Sequence, residues 1–209
     1  MRCLTAALLV ALATPAAAQR SSGTYIIQRG GSEIGREQFT LEDGARDRSG
    51  TSLTVSARYP GSGATSALLV RTPDGQLSRF QLDVGGEAGT TTFLAAGAGA
   101  RVILKTIAEG SEAGRELPGG QNVVLVDENV HTLFIAAADL ATDGGTRMVA
   151  IYPRTGRRAQ FTATREGNGS GGARVILTGG ITGTLTIDAS GQVTRMEFPG
   201  SGTVAVLSE

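Results

Sequence analysis

His131 is the sole histidine of the sequence, and Cys3 the sole cysteine. A zinc site built from those residue types needs three or four ligands, so the composition excludes one. Asp127 lies one helical turn before His131, a spacing that puts both on one helix face. A carboxylate orienting an imidazole is half of a nucleophilic hydrolase. The Gly-x-Ser-x-Gly turn that would present a serine to that base is absent from the sequence. The pair therefore reads as a helix cap, Asp127, with His131 half exposed on the rim, and no catalytic residue is assigned. Glu33 and Glu37 lie four apart in a strand-like run and read as a solvated face. A glycosidase would use such a pair, but it also needs aromatic platforms, and the chain has no Trp and 4% aromatics. Asp139 and Asp143 precede Gly144-Gly145 without EF-hand spacing, so they read as a polar helix exit and not as a metal site. Arg147, Arg154, Arg157 and Arg158 form a basic cluster about a Thr-Gly turn. They are the candidates for contact with an anion or a protein partner.

The 209 residues carry 19 basic and 19 acidic side chains, for a formal net charge of +0. No positive field is available to hold nucleic acid, and the arginine cluster has no interleaved aromatics on which bases could stack. With 40% hydrophobic and 18% charged residues, the composition is that of a folded domain. The first 18 residues have the form of a secretory signal. Arg2 gives the charged start, Leu4 to Ala13 the apolar stretch, and Ala16-Ala17-Ala18 a cleavage site before Gln19. Cys3 lies before the cut and Gln19 directly after it, so no lipid anchor is expected. The expected product is exported, periplasmic or extracellular, free of thiols, and not an integral membrane protein, because no later run reaches the ~18 apolar residues of a spanning helix.

The dominant pattern behind these residues is period two, as in Leu53-Val55-Ala57-Tyr59 and Phe80-Leu82-Val84 with polar residues between. Turn clusters punctuate it, among them Gly30-Gly31, Pro73-Asp74-Gly75 and Ala189-Ser190-Gly191. The pattern predicts strands over 24–29, 33–41, 51–59, 66–72, 76–84, 90–95 and 101–108. A second set follows over 122–126, 146–152, 157–165, 173–178, 181–188, 192–198 and 202–207. The close spacing predicts an antiparallel meander. The stretches 85–99 and 109–121 read as loop-rich. From Asp127 to Ala141, Val130, Leu133, Phe134, Ala137 and Leu140 share one helical face, so a single helix is predicted over about 127–141, capped by Asp127 or Asn129. The glycine pairs are not followed by a phosphate-binding helix, and no cofactor is expected.

Three stretches resemble β-rich bacterial exported families of unknown function that share the half-barrel shape of the lipoprotein carriers. They are Tyr25-Ile26-Ile27-Gln28-Arg29-Gly30 leading to Ile34-Gly35-Arg36-Glu37-Gln38-Phe39; Val126-Asp127-Glu128-Asn129 with the later Tyr152-Pro153; and Asp188-Ala189-Ser190-Gly191-Gln192-Val193 leading to Phe198-Pro199-Gly200. The resemblance implies a twisted antiparallel sheet wrapped on a helix, and it carries no catalytic residues.

The expectation is thus a mainly β single domain, 19–209, with a curved antiparallel meander or half-open barrel about one central helix. Its expected function is non-enzymatic binding of a lipid, of another apolar or amphipathic ligand, or of a cell-envelope protein on the concave face. The candidate lining residues are Val55, Phe80, Leu82, Val130, Phe134, Val149 and Phe161. Two alternatives stand beside it: an envelope assembly module that pairs through a sheet edge, and a hydrolase using His131 with Asp127.

Overall fold

The computed structural model describes residues 18–44, 50–169 and 171–208. Of the proposed signal segment 1–18, residues 1–17, with Cys3, lie outside the described residues, and Ala18 opens the first strand. The first eight strands are β1 (Ala18–Arg29), β2 (Ser32–Asp43), β3 (Thr51–Arg58), β4 (Thr65–Arg71), β5 (Leu77–Gly86), β6 (Gly89–Ala98), β7 (Arg101–Ala108) and β8 (Ser111–Pro118). After the short β9 (Val123–Leu125) comes the helical segment, a 3-10 turn over His131–Phe134 running directly into α1 (Ile135–Leu140). It is followed by β10 (Thr146–Ile151), β11 (Arg158–Gly169), β12 (Gly172–Gly179), β13 (Gly183–Ile187), β14 (Val193–Phe198) and β15 (Thr203–Ser208).

All fifteen strands form one sheet, in the order β8 to β1, then β15 down to β9, and the sheet does not close into a barrel. Hairpins build it: Gly30 and Gly31, with φ of 58° and 82°, turn β1 into β2 where an L side chain would be strained. The two meanders meet where β1 pairs with β15, Thr24 opposite Ser208. Period-two burial gives the sheet one apolar face. That face curls around α1, and Leu133, Ile135 and Ala137 of the helix share a single core cluster with Tyr25, Phe80 and Leu185.

The mainly β class and the central helix are as the sequence reads them, with four differences of detail. The stretch 109–121 contains β8, whose exposed residues show no apolar phase, and the glycine-rich 85–99 is mostly β6. One strand pair is parallel: β9 and β10 lie side by side with Val124 opposite Ala150, and the helix is their crossover. The helix also starts at His131 rather than Asp127. Residues 127–130 form a turn closed by the bond from the Val130 amide to the Asp127 carbonyl, and Asp127 and Asn129 do not cap the helix.

The free edges of the sheet are tied by side chains. Arg71, at the end of β4, is buried; it donates to the Val123 carbonyl of β9 at 2.7 Å and to the Gly75 carbonyl. Burial pulls its pKa down to about 10 even with Asp139 nearby. Higher up, Arg115 of β8 donates to the Thr155 carbonyl in the β10–β11 hairpin at 2.9 Å.

Candidate functional site

The helix begins without a side-chain cap of its own. Its exposed amides are met instead by a carboxylate from the sheet. Glu37 of β2 is 0% exposed and points inward in phase with Phe39 and Leu41. Its Oε1 accepts the His131 backbone N–H at 2.9 Å, and its Oε2 accepts the Thr132 N–H at 2.7 Å and the Thr132 hydroxyl at 2.6 Å. The Tyr59 hydroxyl donates to Oε1 at 2.5 Å. His131 Nδ1 lies 3.1 Å from the same oxygen and 3.2 Å from the Tyr59 oxygen. Burial pushes the Glu37 carboxyl up, but the donors from His131, Thr132 and Tyr59 outweigh it and hold it below its ordinary value. Burial, followed by the charge of Glu37, pushes the Tyr59 hydroxyl up, so it stays protonated and donates. Gly35 makes room for this arrangement: a Cβ there would lie 2.4 Å from the Tyr59 ring.

The tautomer of His131 follows from its neighbours. Glu37 is an acceptor and the Tyr59 hydroxyl directs its hydrogen to Glu37, so Nδ1 carries a hydrogen toward the carboxylate. The ring leans on Phe198 with centroids 5.6 Å apart, and Phe134 packs on Phe198 at 4.7 Å. His131 is 7% exposed, where the sequence reading had it half exposed. Its Nε2 makes no hydrogen bond among the described residues. Arg71 Nε is the one buried side-chain polar atom without a partner among the described residues, so solvent reaches Nε2.

His131 lines an open groove of about 520 Å³ at the rim of the sheet. The groove lies among the ends of β1, β10, β12 and β14 and the start of the helix. Phe134, Ile181 and Phe198 form an apolar floor, with Arg29, Asn129, Arg157 and Ser201 around it. Asp127 and Arg154 close one side through a bidentate ion pair, 2.6 Å and 3.0 Å. Arg157 lies 3.7 Å over the Tyr152 ring and reaches Glu128 at 3.2 Å. A larger depression of about 950 Å³ on the outer face of β1–β4 is lined chiefly by polar strand residues such as Thr24, Gln38 and Ser56.

The residues singled out from the sequence divide accordingly. Of the seven candidates for lining a ligand site, Val55, Phe80, Leu82, Val130, Phe134 and Phe161 are buried in the core, and Val149 is half-buried. The helix, not a hollow, occupies the concave face against which they pack. Phe134 alone of the seven reaches the rim groove, while Val149 and Phe161 border a separate dip of about 390 Å³ on β10–β12. Arg154 and Arg157 are committed to Asp127 and Glu128, and Arg147 and Arg158 are exposed. Glu33 and Glu37 do not share a face, because a register shift between Ile27 and Gln28 opposite them turns Glu33 outward to Arg36. The carboxylate that orients His131 is thus Glu37 and not Asp127. Asp139 is held bidentately by Arg20, at 2.9 Å and 3.2 Å.

A half-open, β-barrel-like sheet on one helix is the class this geometry defines, and two solved structures resemble it. A β-barrel-like protein of the domain of unknown function DUF1849 from Brucella abortus aligns over 90% of this chain and 95% of its own. It has a TM-score of 0.53 and 10% identity, a likeness of fold alone. A DUF1089 family protein from Pseudomonas aeruginosa aligns over 96% of this chain and 98% of its own, with a TM-score of 0.44 and 15% identity. No family model matches the sequence, and no curated protein matches it.

Proposed function

We propose that this is an exported, non-enzymatic binding protein that holds an amphipathic ligand in the rim groove beside the helix start. One observation carries the reading. Buried aromatic side chains, Phe134 and Phe198, form the floor of an open groove whose rim is polar and charged, which is the make-up of a small-ligand site. Its volume of about 520 Å³ lies within the range of such sites. The groove replaces the concave face as the seat of the ligand, because the helix fills that face. Export rests on the signal-like segment 1–18, and the half-barrel likeness to lipoprotein carriers remains part of the proposal. A non-enzymatic role is supported by the way Glu37 is spent: its oxygens hold the helix start.

Pairing through a sheet edge is the weaker reading. The outer face of the free strand β8 carries Glu112 and Glu116, which meet Lys105 and Arg101, and charges of that kind discourage a further strand.

The test is native mass spectrometry of protein purified from the periplasm or medium of its own host. A chain beginning at Gln19 with a bound small amphiphile is expected, and Thr182→Trp, at an exposed groove position, should lose the adduct while melting normally. Cytosolic protein with its first 18 residues intact would sink the export part. An adduct unaffected by Thr182→Trp, or a protein partner with no small ligand, would sink the groove.

A further inference from the structure

The charges around the groove do not cancel evenly. Asp127 is taken by Arg154, and Glu128 meets Arg157. Arg29, at the end of β1, lines the same groove, is exposed, and makes no ion pair among the described residues. Arg29 and His131 line this groove together. A planar guanidinium fork pairs bidentately with a carboxylate or phosphate. The groove floor is apolar. A cation without a carboxylate and an aromatic floor together fit a molecule with a compact anionic end and a hydrocarbon body.

Resting on the reading proposed above, we infer that the ligand is an anionic amphiphile. Arg29 holds its carboxylate or phosphate, and its chain lies on Phe134, Ile181 and Phe198.

The full chain, after any export cleavage, is titrated calorimetrically with laurate, dodecyl phosphate, uncharged monolaurin and inorganic phosphate, each below its aggregation limit, and with vesicles of anionic phospholipid. Laurate and dodecyl phosphate should compete for one site. Monolaurin should bind about tenfold more weakly, the loss of one charge-assisted contact. Arg29→Gln, checked for an unchanged melting curve, should weaken both anions about tenfold and leave monolaurin as it was.

If monolaurin binds as tightly as laurate, or Arg29→Gln leaves the anions unaffected, the charge assignment falls and the binding-protein reading stands. Should neither laurate nor monolaurin bind, the binding-protein reading falls with it. Inorganic phosphate binding as tightly as dodecyl phosphate would mark a bare anion site, and binding to vesicles without binding to monomers would mark a membrane-surface patch. Either result overturns the inference.

Discussion

Glu37 keeps its charge in a place water does not reach, and five contacts from three residues make that possible. Glu37→Gln puts an amide N–H₂ where one carboxylate oxygen accepted, so donors face donors. The expected cost is about 3 kcal/mol, a fall in melting temperature of about 6–12 °C for a chain of this size. The pH dependence follows from the direction of the shift. The folded carboxyl titrates below its unfolded value, so its stabilisation is complete above about pH 4.3 and is lost as pH falls through the folded value. Melting temperatures of the parent should drop more steeply below about pH 5 than those of Glu37→Gln. Parallel acid profiles would mean that Glu37 is not the ionised cap. The sequence held a usable sign of this residue, since Glu37 stands in the apolar phase of Phe39 and Leu41. Spacing to Glu33 concealed it, because the register shift that separates the two acids leaves no mark in the sequence.

At the scale of elements, legibility followed apolar periodicity. Fourteen of the strands lie where alternation or turn residues put them, and the helix lies where its apolar face predicts. The strand that escaped, β8, is exposed on nearly every residue, so burial never imposed an alternation on it. The helix start was misplaced because its cap comes from β2, far away in sequence. The parallel β9–β10 pair was missed although the helix that bridges it was predicted. Holding β9 in place depends on Arg71, whose loss leaves the Val123 and Gly75 carbonyls short of a donor. Arg71→Met should cost about 2–4 kcal/mol. Amide exchange should quicken across 123–126 while β13 and β14 keep their protection. Uniform quickening would instead show that the residue supports the whole sheet and not this edge.

For the molecule as a whole, one core cluster runs from Tyr25 in the first strand to Ala205 in the last, through the helix. A single contiguous core predicts one cooperative transition, with urea curves from tyrosine fluorescence and far-ultraviolet dichroism superimposing. Two separated midpoints would show that the two meanders are independent units.

The seam between β1 and β15 has a consequence for how the chain is made. Every other neighbouring pair joins strands that follow one another in sequence, whereas this one waits for a strand made much later, since Thr24 must find Ser208. At ribosomal speeds of about 5–20 residues per second, that delay is on the order of ten seconds or more. Through that interval β1 has a bare flank and the sheet is two unjoined ribbons.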